Sequence, residues 1–382
     1  MYNRAVKNDA ESRNHIESWI KFIKKKALSA LILACTLLIG ACSRGQEPSV
    51  PSIVTTPSTS ETSIMDAPLV PSNTPSLHAR PDVEPNGDIV ILMTGDIHGS
   101  FDRGFSFGGV YEVRYQLELK GDTVLLVDDG DAIQGTPMAF NSRGEVMINI
   151  MNDLGYDVAI PGEHEFHYGM ERFYEIVRKA NFEYISCNFV KNGKQVLKPY
   201  TIKEVCGKKI AFVGITTPKA LTLGPAEAFQ DKDGNYIYGF MGDENGDAIV
   251  KAAQEAIDAA KAQGANYVVL MGHIGNDPTA APWTYDTITS RLKGYDVYLD
   301  GFSHDVDTAE IMNGDGKLLQ RVPAGTRLNT IGWVRISAKD GSLKTGLYRW
   351  ENDVDPGWLF DFENPLTKRV KEAKAEGEKY MQ

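Results

Sequence analysis

The chain has 382 residues, 42% of them hydrophobic, the composition of an ordinary globular protein with room for one large domain or two small ones. Its formal net charge is −11, and without residues 1–41 the remainder carries 33 basic and 48 acidic residues, a net −15. Such an acidic balance argues against nucleic acid as a partner, because that calls for a basic face.

Lys21 to Lys26 form a basic cluster, followed by an apolar run of 14 residues from Ala27 to Gly40. The run is short for a membrane span and fits the apolar centre of a signal segment. It ends in Ile39-Gly40-Ala41-Cys42-Ser43, small residues ahead of a cysteine. That ending resembles a bacterial lipobox with Cys42 as the lipidated residue; a plain signal peptide or an uncleaved anchor is the alternative. Residues 1–42 are read as a signal peptide with lipobox. The Ser-, Thr- and Pro-rich stretch 43–85 is read as a tether, since such a composition cannot bury a core. The folded part, 86–355, is then expected outside the cytoplasm, reaching the membrane through the lipid anchor only. Cys187 and Cys206 remain in it, and a disulfide or two free thiols are both open.

From Asp88 onward, strands alternate with helices. Ile89–Thr94 is mostly apolar and β-branched, a buried strand. A helix is expected over Gly109–Lys120, a strand over Thr123–Val127, a helix over Glu145–Leu154 stopped by Gly155, and a short strand over Asp157–Ile160. Gly169–Ala180 reads as a helix and Tyr184–Cys187 as a strand. Tyr200–Val205 and Lys209–Ile215 read as a hairpin. Asp247 is placed to cap a helix with Ile249, Ala253, Ile257 and Ala260 on one face and Gly264 as its stop. Tyr267–Met271 and Asp296–Leu299 are further buried strands. Ala309–Trp350 is strand-rich, and the tail 356–382 is expected to be helical over Val370–Met381. The pattern is α/β with added antiparallel strands.

Sites in α/β folds form just past the carboxyl ends of strands. Asp96 and His98 follow the first strand. Asp128, Asp129 and Asp131 follow the second, and Glu163, His164, Glu165 and His167 the third. His273 follows Tyr267–Met271, and Asp300 and His304 follow Asp296–Leu299. All five histidines of the 86–355 segment stand at strand ends among carboxylates, a donor mixture suited to zinc, iron or manganese.

This spaced set resembles the calcineurin-like metallophosphoesterases, specifically the 5′-nucleotidase family, from about Asp88 to Trp350. The motifs are Gly95-Asp96-Ile97-His98, Gly130-Asp131, Gly162-Glu163-His164-Glu165-Phe166-His167, His273-Ile274-Gly275 and Gly301-Phe302-Ser303-His304, with Gln134-Gly135-Thr136 and Asn188 in support. The resemblance implies a four-layer α-β-β-α sandwich with two mixed sheets. It also implies one or two divalent ions (zinc, manganese, iron or calcium) and hydrolysis of a phosphate ester, a nucleotide among the candidates, by metal-activated hydroxide. The first metal site falls on Asp96, His98, Asp131 and His304, with Asp131 bridging to a second that keeps His273. His164 takes the place of the histidine that stabilises the phosphoryl group.

Three positions depart from the family pattern. Glu163 replaces the family's Asn ligand. Phe302 replaces a His ligand and cannot hold a metal. His167 replaces the Asp partner of His164, and two imidazolium-prone rings repel when charged. Either Glu163 and His167 rebuild the second site, or that site has decayed and the protein is a non-catalytic lipoprotein that binds metal or phosphate. Family members usually continue into a nucleoside-gripping domain, and the residues after Trp350 are too few to form one.

Overall fold

The alternation of apolar side chains along each strand decides the layering. In the computed structural model, which describes residues 72, 75–350 and 364–378 with side chains through 375, Ile89, Ile91 and Met93 of the first strand face one core and Val90 and Leu92 another. The strand is buried along its whole length, as expected of one covered on both faces. Cys42, the rest of the expected signal segment, and residues 43–71 lie outside the described residues.

The twelve strands of the two large sheets are, in chain order, β1 (Ile89–Thr94), β2 (Thr123–Asp128), β3 (Val158–Ala159), β4 (Glu183–Tyr184), β5 (Tyr200–Val205), β6 (Lys208–Thr216), β7 (Tyr267–His273), β8 (Val297–Gly301), β9 (Ala309–Met312), β10 (Leu318–Pro323), β11 (Thr330–Ile336) and β12 (Leu343–Arg349). One sheet runs β12-β11-β1-β2-β3-β4 and the other β9-β10-β8-β7-β6-β5. Both are mixed. β1, β2, β3 and β4 are parallel, with β11 antiparallel to β1. Likewise β6, β7, β8 and β10 are parallel, with antiparallel strands β5 and β9 at the edges.

Three cores separate four layers. The central one lies between the sheets and holds Ile91, Met93, Val127, Phe212, Met271 and Leu299. On the outer face of the first sheet, Leu92 and Leu126 pack under helices α1 (Ser106–Leu119), α3 (Glu145–Leu154) and α4 (Met170–Lys179). Between α1 and α3 lies the short α2 (Pro137–Asn141). On the outer face of the second sheet, Val213 and Leu270 pack under α6 (Asp247–Ala262), with Ile249, Ala253, Ile257 and Ala260 all buried. The short helix α7 (Tyr285–Thr289) joins this core through Ile288, whereas α5 (Ala220–Leu223) puts Ala220 into the core on the outer face of the first sheet. The α-β-β-α sandwich is the one the sequence implies.

Local differences have local causes. β3 and β4 are two residues long, shorter than the apolar runs around them; after β3 the chain leaves the sheet to form the loop that carries Glu163 and His164. Asp247 is the first residue of α6 and not its cap; Gly246, in a left-handed conformation, occupies the cap. The β5–β6 hairpin closes through Cys206 and Gly207, both at positive φ, the geometry that matches strand twist. Cys187 is buried and Cys206 exposed, and both are free. The tail helix is α8 (Pro365–Glu378), which starts earlier than expected and buries Leu366, Val370 and Ala373 against the α1–α3 layer. Among the described residues, no helix is long and apolar enough to cross a membrane.

Candidate metal centre

The loops that follow β1 and β2 lie side by side because their strands are parallel neighbours. Their backbones are joined: the Asp96 N–H donates to the Gly130 carbonyl at 2.9 Å and the His98 N–H to the Asp131 carbonyl at 2.8 Å. Asp96, His98 and Asp131 all have positive φ, as do Phe302 and His304 in the loop after β8. Left-handed backbone at a non-glycine residue costs of order 1–3 kcal/mol and gathers where surrounding structure fixes a functional geometry. Much of that fixing here comes from Glu165. Its carboxylate accepts the N–H groups of Asp131 (2.9 Å), Ala132 (2.8 Å) and Gly162 (2.7 Å) and so ties the loop after β2 to the loop after β3.

Asp96, His98, Asp131, His273 and His304 gather into compact donor sets, and Glu163 stands beside His273 outside them. Asp96 Oδ1 faces Nε2 of His304 at 3.3 Å, of His98 at 3.9 Å and of His273 at 4.0 Å. The Nε2 atoms of His98 and His304 are 3.0 Å apart. Asp131 Oδ2 lies 3.3 Å from His273 Nε2 and 3.7 Å from His164 Nε2. Glu163 Oε2 lies 3.1 Å from His273 Nε2. Three sets of donor atoms are each compact enough for one ion: Asp96, His98 and His304; His98, Asp131 and His164; and Asp96, Asp131 and His273.

Whether these residues suit a cation is decided by the charges they leave unmatched. Asp96 Oδ1 is buried without a hydrogen-bond partner, whereas its Oδ2 accepts the Phe302 N–H at 2.9 Å. A buried carboxylate oxygen ringed by imidazole nitrogens is a ligand arrangement. Gly162 leaves room for Asp131 and His273, since a Cβ there would stand 2.2 Å from Asp131 Oδ1 and 2.7 Å from His273 Nε2. Proton affinities follow the crowding. Burial and the neighbouring His164, His304 and His273 push His98 down to about 3. Burial, opposed by Glu163, pushes His164 down to about 4. Burial would raise Glu163, but the hydrogen bond and charge of His273 take it down to about 2. Burial would lower His273, yet Asp131, Glu163 and Asp96 around its Nε2 raise it well above the ordinary value.

Two rings are aimed from behind. His273 Nδ1 donates to the Asp129 carbonyl at 2.6 Å, and His164 Nδ1 donates to Gln134 Oε1. His167 is brought beside His164, ring centroids 4.4 Å apart, but joins none of the three donor sets. It hydrogen-bonds the Leu223 backbone, and its Nε2 is buried without a partner. Phe302 points its ring at the edge of His273, centroids 5.4 Å apart. The sequence assigned no task to Glu165 or Gln134, although both stand inside motifs, and gave no sign of Arg321, which grips Asp300, Ser303 and Asp305.

A family model, calcineurin-like phosphoesterase, matches residues 89–306, more than half of the chain. The chain belongs to the calcineurin-like phosphoesterases. Enzymes of this family are hydrolases that use divalent ions, in keeping with the donor sets found here. This phosphoesterase is 25% identical over 267 residues to the trifunctional nucleotide phosphoesterase protein YfkN of Bacillus subtilis, covering 60% of the chain and 17% of that protein. It is 28% identical over 238 residues to the 5′-nucleotidase of Diplobatis ommata, covering 56% of the chain and 37% of that protein. The phosphoesterase thus spans less than half the length of these curated relatives. It shares its fold with the 5′-nucleotidase precursor from Thermus thermophilus, at a TM-score of 0.61 and 18% identity over 77% of this chain and 60% of that one.

Proposed function

We propose that this protein hydrolyses phosphate esters of small molecules, nucleotides among them, with divalent ions held at the strand ends, and that it works outside the cytoplasm on a lipid attached at Cys42. The observation that carries the catalytic reading is the buried, unpartnered Oδ1 of Asp96 facing three imidazole nitrogens within 4.0 Å. Asp96, His98, Asp131 and His304 would hold the first ion, and Asp131, Glu163 and His273 would take part in holding the second. Ions bound by such residues supply a nucleophile from water at neutral pH and neutralise charge that builds on phosphoryl oxygens.

The chain's own part is to orient. The Phe302 N–H on Asp96 Oδ2 reserves Oδ1 for the site. The Asp129 carbonyl on His273 Nδ1 turns Nε2 of that ring toward the acids. Glu165 keeps Asp131 at the junction of three loops. His304, with a side chain 47% exposed, marks the open side on which a phosphate ester would enter.

Hydrolysis of an aryl phosphodiester and of AMP by the full chain, with manganese, zinc or calcium added, tests the reading. A metal-dependent rate is expected for at least one substrate, falling to background in Asp131→Ala. A rate no higher than that of Asp131→Ala under every metal would refute it.

A further inference from the structure

His167 closes the motif Gly162-Glu163-His164-Glu165-Phe166-His167 without joining a donor set. It stands at the end of a row of imidazoles. His98 and His164 have ring centroids 4.8 Å apart, and His164 and His167 have theirs 4.4 Å apart. At His167 the surface opens into a cavity of about 450 Å³, with that histidine in its wall.

We propose that this cavity is a nucleoside pocket, so that a nucleotide lies with its phosphate at the metal centre and its base against Tyr168, Ile237 and Tyr238. The proposal rests on the phosphoesterase reading above and leaves His164 the role that the resemblance implies. The family pattern places the nucleoside in a following domain, whereas this pocket is part of the metal-bearing sandwich itself.

Size and position come first. Small-molecule sites commonly measure about 300–1,000 Å³. The cavity falls in the lower part of that range, which suits a nucleoside. It begins one imidazole beyond His164, whose Nε2 is 3.7 Å from Asp131 Oδ2. In a nucleotide a single sugar separates the phosphate from the base, a spacing of the same order.

The lining comes second. Tyr238 is buried and backed by Phe189, the two rings 5.9 Å apart and only 21° from parallel. Tyr168 is pinned by its hydroxyl, which donates to the Ala139 carbonyl at 3.0 Å. Walls fixed in this way need no rearrangement before a flat ring lies against them. Met170 and Ile237 add apolar surface. Glu171 and Glu227, both exposed, put acceptors in the lining, and Lys191, its ammonium 5.5 Å from the Tyr238 ring centre, adds a donor. A base has apolar faces and a polar edge and matches both kinds of surface. A lipid tail would leave the carboxylates unpaired, and an inorganic ion would leave the aromatic faces bare.

The surroundings come third. Phe140 is 60% exposed and packs on Tyr168, ring centroids 6.2 Å apart. Leu223 is 50% exposed, and its backbone holds the His167 ring. Apolar side chains left bare beside a cavity mark surface that a ligand covers.

Three phosphate esters that differ in the leaving group test the pocket: AMP, ribose 5-phosphate and benzyl phosphate, each with manganese, zinc or calcium added. The full chain is expected to act on AMP with a kcat/KM at least about 10-fold above that for ribose 5-phosphate, the worth of one base stacked on aromatic rings. Ile237→Trp fills the cavity, and Glu227→Trp obstructs it from an exposed position. Both are expected to remove the preference through KM while the rate on ribose 5-phosphate is kept, which also shows that the chain is folded. Calorimetric titration of adenosine into the metal-stripped full chain reads the pocket without catalysis. Binding is expected for the parent, weakened at least about 10-fold in both variants.

AMP turned over no better than ribose 5-phosphate, or a preference that survives both variants, overturns the proposal. Benzyl phosphate preferred to AMP, and slowed by the same variants, would make the cavity a seat for simple aryl groups and overturn it too. Adenosine binding that both variants weaken, with no ester hydrolysed, would refute the hydrolase and keep the pocket. Hydrolysis of all three esters without adenosine binding would do the reverse.

Discussion

The site depends on a few residues that touch no ion. Five of its members, Asp96, His98, Asp131, Phe302 and His304, hold a left-handed backbone that side chains disfavour, and they hold it because neighbouring loops leave no alternative. Gly162 is where that crowding is tightest. Its own φ is not in the left-handed region, so alanine would fit the backbone, yet the added methyl would stand 2.2 Å from Asp131 Oδ1 and 2.7 Å from His273 Nε2. Gly162→Ala is therefore expected to lower manganese affinity at least about 100-fold while the chain stays folded, because the displaced atoms are donors and not core. Calorimetric titration of the parent and variant with manganese, beside a thermal melt of each, checks it. An unchanged affinity would mean that the donors relax around the methyl group.

At the scale of elements, strand ends were legible and the supports of their loops were not. Each proposed donor follows or ends a strand, and an apolar run closed by Asp, His and Gly announces that from sequence. Besides its near neighbour Gly162, Glu165 holds backbone N–H groups 33 and 34 positions away, and Gln134 holds a ring nitrogen 30 positions away, so no local pattern reports these long-range ties. Arg321 is the clearest case. It lies on β10, side chain 4% exposed, and donates to Asp300 Oδ2 at 2.6 Å, Ser303 Oγ at 3.0 Å and Asp305 Oδ2 at 2.5 Å, while its guanidinium stacks over Tyr285 at 4.4 Å. This one side chain clamps the loop that carries Phe302 and His304. Asp300 is already pushed up to about 6 by burial, with Arg321 opposing. Arg321→Met would leave that carboxyl buried and unpaired. It is expected to cost about 3–5 kcal/mol in urea unfolding and to weaken the first ion through His304. A loss below about 1 kcal/mol would show that Ser303 and Tyr298 suffice to hold Asp300.

Across the whole molecule, the four layers followed from the family resemblance, and the α/β alternation was legible in the apolar runs and their turn signals. The limits of the folded part were less so. The stretch read as a tether includes residues that lie on the helix layer: the His78 N–H donates to the Asp153 carbonyl at 3.0 Å, and the Ser76 hydroxyl donates to the same carbonyl at 2.7 Å. Composition favours extended chain there but does not tell a free strand from one laid along a surface. At the other end, α8 joins the same region through Arg369, 3.2 Å from Asp153. The helix layer is thus stitched at one place by segments nearly 300 residues apart.

Glu118 on α1 is the buried charge in that seam, and its titration gives the seam a pH dependence. Its side chain is 2% exposed, with Arg114 Nε at 3.1 Å and His78 Nε2 at 3.0 Å, and Arg114 in turn donates to the Leu154 and Gly155 carbonyls. Burial would raise the Glu118 carboxyl, but the hydrogen bonds and charges of His78 and Arg114 outweigh it and hold the group below its ordinary value of 4.5. A group depressed in the folded state contributes stability that is present above its unfolded value and is lost as pH falls through the folded one. Glu118→Gln keeps the shape and removes the charge, so it should destabilise the chain by about 2 kcal/mol at neutral pH, the worth of hydrogen bonds to a buried charged group. The difference should shrink below 4.5, where the parent's own carboxyl begins to take up a proton in the unfolded chain. Urea unfolding of both proteins in steps from about pH 7 to about pH 3 reads this out. A gap that stays constant down to the acid end would mean that the seam is held by packing and that the charge of Glu118 contributes nothing to it.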